Sequence, residues 1–442
     1  MEQGNKKIIR GWIFYDWANS VYNLVISSAI FPIFYDTVTT KHYLARVGRT
    51  ALLEGESVKV HFFGIEFSNS VLLSYVLSAS FLVVSFLSPL LSGIADYTGR
   101  KKKFLQFFCY MGSFACMSLY WFSPDSLELG MFSLFLASIG FWNSLVFYNA
   151  FLPEIAAPEE HDRISAKGFT MGYIGSMLLL IICLVWIQVF QLPAKYCFIF
   201  VGIWWIGFSQ FTYRVLPNNV YNRKPKAGLW RGFRELWFVF KEFRQTQRLK
   251  KYLISFFFFN TGVQTVMLMA TIFANKEINW PEGSGSTGLI IAILLIQILG
   301  AIGAYLMSRL SSMIGNVKTL IVGVIVWLGI CYAAFVITEP VEFYIMASVV
   351  GLVMGGIQAI ARSTYSKFLP ETRDHASYFS FYDATEKIGI VIGMFFFGFI
   401  ESLTGSLRFS VLSVAFFFLV GLIALFFVPK HETGLSKGYG VE

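Results

Sequence analysis

Ser92-Gly93-Ile94-Ala95-Asp96-Tyr97-Thr98-Gly99-Arg100-Lys101-Lys102-Lys103 lies between two long apolar runs, so it reads as a short turn joining two membrane helices. Gly99 permits the tight reversal. The four cations that follow hold the turn on the cytoplasmic side. Asp96 is placed to sit against the positive N-terminal end of a neighbouring helix, and the sequence puts that end near Ala376-Ser377. Read without its surroundings, the stretch is an ordinary positive-inside loop. The surroundings decide otherwise. Of the 442 residues, 56% are hydrophobic and only 14% charged, well below the quarter that soluble domains carry. Apolar runs of about twenty residues, the length a bilayer requires, recur along the whole chain.

Twelve such runs are expected, at roughly 12–37, 67–93, 104–123, 129–152, 165–190, 196–216, 252–275, 286–309, 318–338, 341–366, 376–401 and 407–429. An even number puts both termini on one side. With the N-terminus cytoplasmic, the inside segments hold roughly 27 Lys and Arg against roughly 7 outside, with Lys387 left within a span. The formal charge of +9 therefore marks topology and not nucleic acid. Cys109, Cys116, Cys183, Cys197 and Cys331 lie in or beside apolar runs without metal-ligand spacing, and read as packing residues. The first apolar run lacks a small-residue cleavage site and is expected to stay as a helix. No N-x-Ser/Thr acceptor occurs. The expected setting is a bacterial inner membrane, with the protein as a monomer in the lipid bilayer.

The chain divides into two halves, 1–216 and 252–442, joined by the basic segment 217–251. Within that linker, residues 229–243 read as an amphipathic helix lying on the inner leaflet. Phe151-Leu152-Pro153-Glu154 recurs as Phe368-Leu369-Pro370-Glu371. His161 and Ser165 follow the first copy, and His375 and Ser377 the second. Gly99 has its counterpart in Gly315, although the second loop has lost the acidic residue and most cations. The common offset indicates parallel repeats.

The turn at Asp96, Gly99, Arg100 and Lys101 resembles the signature loop between helices 2 and 3 of the major facilitator superfamily, with Ser92 where that family usually has its first glycine. The resemblance implies an all-α fold of twelve transmembrane helices in two six-helix pseudo-repeats. It also implies that spans 1, 4, 7 and 10 line a central cavity. Polar residues at membrane depth are costly and usually face a cavity or a partner. On span 1, Asp16, Asn19 and Asn23 share a helical face. Span 4 carries Asn143 and Asn149, span 7 Asn260 and Gln264, and span 10 Gln358 and Arg362. Each of these amides can equally serve only to hydrogen-bond helices together. The cavity reading gains most from the lone charges of Asp16 and Arg362.

Asp96, Glu154, Asp383, Glu386 and Lys387 fall, with Asp16 and Arg362, on the inner third of the bundle, as a gate or a coupling pathway would. Asp383 and Lys387 are spaced to pair along a helix, whereas Glu386 and Lys387 are adjacent and do not share a face.

Tyr15-Asp16-Trp17-Ala18-Asn19-Ser20, Phe147-Tyr148-Asn149-Ala150-Phe151-Leu152-Pro153-Glu154 and Gly355-Gly356-Ile357-Gln358-Ala359-Ile360-Ala361-Arg362-Ser363 are together similar to the facilitators related to the fungal vacuolar amino-acid effluxer. That similarity covers essentially the whole chain and implies a permease, with amino acids as cargo. Asp16 and Arg362 offer one anionic and one cationic contact, which a zwitterion such as an amino acid or short peptide can bridge. The alternatives are a transporter or flippase of a lipid-like amphiphile, walled by Trp12, Phe14, Tyr15, Trp17 and Tyr22, and a membrane scaffold without transport. No phosphate-binding loop is present, so a proton or solute gradient must drive transport. The five histidines form no H-E-x-x-H pair at membrane depth, which argues against an enzyme. No cofactor is expected.

Overall fold

The computed structural model describes residues 3–53, 56–217, 237, 239–281 and 285–431. The chain enters as α1, Lys6–Val21, whose N-terminus is capped by Asn5: its side chain accepts from the amides of Lys7 and Ile8. The helix widens into a π segment at Tyr22–Ala29 and resumes as α2, Ile30–Val47. A hairpin follows, with β1, Lys59–Phe62, antiparallel to β2, Ile65–Ser68. Then come α3 (Asn69–Thr98), α4 (Lys101–Ser118), α5 (Leu127–Asn149), the single turn α6 (Leu152–Ile155), α7 (His161–Leu184) and α8 (Tyr196–Val215). After the linker lie α9 (Gln247–Glu277), α10 (Gly285–Ile314), α11 (Asn316–Val336), α12 (Pro340–Phe368), α13 (His375–Thr404) and α14 (Leu407–Phe426).

Among the described residues, ten helices are long and apolar enough to cross a membrane, counting α1 through α2 as one. The protein is thus a nearly all-helical integral membrane protein. Two expected spans, 104–123 and 196–216, are present as α4 and α8 but stand outside that ten. Lys101-Lys102-Lys103 lowers the hydropathy of α4, and Gln210, Thr212, Tyr213 and Arg214 lower that of α8. Lys102 ties the two together by donating to the Leu216 carbonyl at 2.8 Å. In α12, Pro340 occupies the first turn, where its missing N–H costs nothing, and Glu339 with Glu342 forms a capping box.

In the N-terminal helix set, α1 packs on α7 and α8, α4 on α5 and α8, and α3 on α5. In the C-terminal set, α9 packs on α13 and α14, α11 on α12 and α14, and α10 on α12. Lipid tails supply no hydrophobic drive between helices, so close backbone approach at small residues matters. A Cβ added to Gly140 of α5 would lie 2.5 Å from the Gly112 Cα of α4, and one on Gly351 of α12 2.9 Å from the Ile296 Cα of α10. The two sets meet along α3–α13 and along α7 with α10 and α12.

Most of the expected amphipathic helix at 229–243 lies outside the described residues. Its described residues, 237 and 239–243, are helical; the helix runs on to 245 and rests on α13. Val239 is buried, Phe240 and Phe243 pack against Phe381, and Glu242 accepts from the Tyr378 hydroxyl at 2.9 Å.

Candidate functional site: a cavity between the helix sets

Arg362, on α12, is 4% exposed and points across the boundary between the sets. Its Nε donates to Ser165 Oγ (2.9 Å), one Nη to Asn149 Oδ1 (3.3 Å), and the other to both Asp16 Oδ2 (3.2 Å) and the Ser165 carbonyl (3.0 Å). Asp16 also accepts from the Tyr148 hydroxyl at 2.9 Å. The guanidinium lies 4.3 Å from the Phe169 ring centre and 4.9 Å from that of Trp12, and such faces attract cations. Gly168 completes the site. A Cβ there would run into Asp16 Oδ2 and crowd the Arg362 nitrogen, so only glycine leaves room for the pair. Ser165 and Gly168 as partners of this pair were not legible in sequence, because neither carries a charge and both sit in the polar run that opens α7, which reads as a helix end facing water.

Asp16 and Arg362 form one end of a cavity of about 280 Å³. Asn19, Asn23, Asn149, Asn260, Gln264, Gln358 and Glu386 line it. Its lining continues from Asp16 on α1 past Asn23 to Ser28 in the π segment. Gln358 accepts from Tyr173 at 3.3 Å, and Gln264 donates to Glu386 at 2.7 Å. Two expected contributors stand elsewhere. Asn143 is fully buried behind the wall, where it accepts from Ser88 (2.8 Å) and donates to the Ile139 carbonyl (3.0 Å), so it joins α3 to α5. The aromatic face expected from span 1 is likewise internal: Trp12, Tyr15 and Tyr22 are fully buried, and Trp17 stacks on Trp204. The aromatic wall comes instead from Phe81, Phe141, Trp142, Phe169, Tyr173 and Tyr382. Gln297, which sequence reasoning passed over on a long apolar helix, also lines the cavity and accepts from Ser176 at 3.4 Å.

Toward Gly99 the sets are held together by charge. Gly99 caps α3 at φ 68°, and Arg100 is the N-cap of α4. Asp96 accepts from the amides of Ala376 (3.2 Å) and Ser377 (2.7 Å) in the first turn of α13, the position expected for it. Lys101 lies 3.2 Å from Asp96 and also binds Glu154, whose Oε1 is 3.0 Å from His375 Nδ1. A second tie runs alongside. The loop at Gly315 has no acid of its own, and Asp162 of α7 supplies one. It binds Ser311 at 2.8 Å, Asn316 at 2.7 Å and Lys367 at 2.6 Å.

Asp383, Glu386 and Lys387 sit together on α13. Lys387 is 3.1 Å from Asp383, the expected pairing, and also 3.6 Å from Glu386. The second contact departs from the expectation for adjacent residues: although the two Cβ atoms diverge, the long lysine stem swings back to the carboxylate. Only Glu386 of the three reaches the cavity.

Among relatives, an uncharacterized MFS-type transporter, YxiO, of Bacillus subtilis is 28% identical over 431 residues, covering 96% of this chain and 95% of its own. Autophagy-related protein 22-1 of Penicillium rubens is 23% identical, over 96% of this chain and 89% of its own. Solved structures share the fold at low identity. The human organic anion transporter MFSD10 superposes with a TM-score of 0.70 at 12% identity, covering 95% of this chain and 98% of its own. The major facilitator superfamily transporter FucP in the outward conformation superposes with a TM-score of 0.66 at 12% identity, covering 97% and 99%. The family described as Vacuole effluxer Atg22 like matches residues 4–435, and with transporters as its relatives and a major facilitator fold around its cavity, this chain belongs to that family of membrane transporters.

Proposed function

We propose that the protein is a secondary active transporter that carries a small solute by alternating access of one central cavity. In this reading it has twelve spans in two parallel repeats, residues 1–216 and 252–442, joined by a linker at 217–251. Both termini face the cytoplasm of a bacterial cell whose inner membrane holds the monomer. The repeat reading is supported by the packing scheme. The contacts α3–α5, α1–α7, α1–α8, α4–α5 and α4–α8 recur in order as α10–α12, α9–α13, α9–α14, α11–α12 and α11–α14.

The observation that carries the function is the Asp16–Arg362 pair at the base of a polar cavity, one partner from each helix set. Burying two charges at that depth is expensive. A use for them arises if the pair opens when cargo arrives. The favoured cargo is an amino acid or short peptide, whose carboxylate can replace Asp16 on Arg362 while its ammonium meets Asp16. Cargo and pair then compete, which couples binding to movement of the sets. A proton gradient is the proposed drive.

A lipid-like amphiphile is the second reading, favoured by the apolar flank of Leu24, Leu77, Phe81, Phe141 and Met267 on the same cavity. Counterflow of labelled amino acids in proteoliposomes, with and without an imposed pH gradient, separates the two. Uptake that needs the gradient and fails in Asp16→Asn supports the amino-acid carrier. No counterflow of any amino acid, in vesicles shown to hold folded protein, overturns it in favour of an amphiphile. Intact cellular phenotype in an Arg362→Ala protein that no longer moves solute would instead indicate a scaffold.

A further inference from the structure

Asp383, Glu386 and Lys387 place two carboxylates and one ammonium within one turn of α13. Lys387 is fully buried, and its Nζ lies 3.4 Å above the Trp142 ring centre. Glu386 is held by Gln264 and faces the cavity. Asp383 has more than nine-tenths of its side chain buried, and its Oδ2 has no hydrogen-bond partner. The Asp16–Arg362 site is balanced, one charge against one; this cluster carries one carboxylate in excess.

No other charge offsets that excess among the described residues. The charged groups acting on Asp383 are Lys387 and Glu386. From α3, Asp96 reaches α13 only at Ala376 and Ser377, and is paired with Lys101. From α12, Arg362 is held by Asp16. The α9 helix contributes Tyr252 near Tyr382 and the neutral amide of Gln264. The α5 helix contributes Trp142, the short 239–245 helix contributes Glu242 at Tyr378, and the Arg408 of α14 is bound to Glu277.

An unbalanced buried charge is strongly unfavourable, and two carboxylates sharing a site relieve it by holding one proton. A sodium ion fits less well, because it needs several oxygen ligands and the free Oδ2 belongs to a carboxylate already occupied by an ammonium 3.1 Å away. We infer that the Asp383–Glu386–Lys387 cluster is a binding site for one exchangeable proton, seated on Asp383 in the arrangement seen here, and that it couples the proton gradient to transport. The coupling role rests on the transporter reading above; the proton site itself does not. Release then takes two transfers. Asp383 passes its proton to the Glu386 carboxylate and remains as the ion pair with Lys387. Glu386 then gives the proton to water in the cavity, and one proton has left with no other bond changed.

Infrared difference spectra of the purified full-length protein, recorded across a pH titration, test this without any cargo. The expected result is the C=O stretch of a neutral carboxylic acid near neutral pH. It disappears in Asp383→Asn and persists in Asp16→Asn. Should Asp383→Asn not fold, Glu386→Gln serves in its place: it leaves one carboxylate for one ammonium, so the band must again vanish. Absence of the band from the native protein, its persistence in either cluster variant, or its loss in Asp16→Asn overturns the proposal. Counterflow without the band rejects the proton site alone, whereas the band without counterflow rejects the transporter reading.

Discussion

Arg362 directs every guanidinium nitrogen at a group of the other helix set. Removing it leaves the Asp16 carboxylate buried without its counter-charge. Arg362→Ala is therefore expected to destabilise the protein by about 3–5 kcal/mol, the cost of orphaning one member of a buried pair. The double change Asp16→Asn with Arg362→Gln should recover most of that loss while transport stays absent. Thermal melts in detergent, read beside counterflow, check both. A double variant as unstable as the single would show that the pair is not what holds the site. Gly168→Ala addresses the same pair sterically: its methyl group intrudes on Asp16, with an expected cost of about 1–3 kcal/mol. The two charges were legible because a charge within an apolar run has few innocent explanations. Gly168 was not, since a missing side chain does not say which neighbour needs the space.

At the scale of elements, the first turn of α13 depends on a residue almost three hundred positions away, since its amides donate to Asp96. Asp96→Ala removes a cap worth about 1–2 kcal/mol, which shifts an open–closed equilibrium by about five- to thirty-fold. A cysteine placed at Leu369 should then react with a water-soluble maleimide faster by that order; an unchanged rate would show that the cap does not hold this end shut. The cap was legible, because an acid followed by Gly99 at the end of an apolar run has few amides to meet. The π segment at Tyr22–Ala29 was not. Its sequence has the same apolar periodicity as an α-helix, and no proline or glycine marks the change of pitch. The contacts of Glu56, just before β1, show a third kind of dependence. Arg49, then the Leu53 amide and the Tyr43 hydroxyl, hold the Glu56 carboxyl down at about 2. A carboxyl depressed in the folded state adds stability that is complete above its unfolded value, about 4.3, and is lost as pH falls toward the folded one. Hydrogen exchange over 56–68 should therefore stay constant from neutral pH to about 4.3 and accelerate below it, after correction for intrinsic rates. Glu56→Gln should show no such acid-dependent step.

Across the whole molecule, the two ties near Gly99 are unequal in a way that bears on how the sets move. One joins α3, α4 and α6 to α13 through Asp96, Lys101, Glu154 and His375. The other joins α7 to α10, α11 and α12 through Asp162, Ser311, Asn316 and Lys367. The offset between Phe151-Leu152-Pro153-Glu154 and Phe368-Leu369-Pro370-Glu371 made a repeat legible, but the compensating acid lies on a different helix from the one lost, so no offset leads to it. Both ties must break if the cavity is to open toward Gly99, while the opposite end closes. Linking Glu154→Cys to His375→Cys with a short bis-maleimide should hold this end shut, the five native cysteines being buried and slow to react. Counterflow needs the cavity to visit both sides, so the cross-linked protein should lose it entirely. The same double variant, left unlinked, should retain whatever counterflow the loss of Glu154 permits. Full counterflow in protein shown to be quantitatively linked would mean that solute passes without separation of these helices, and the rocking mechanism would have to be abandoned.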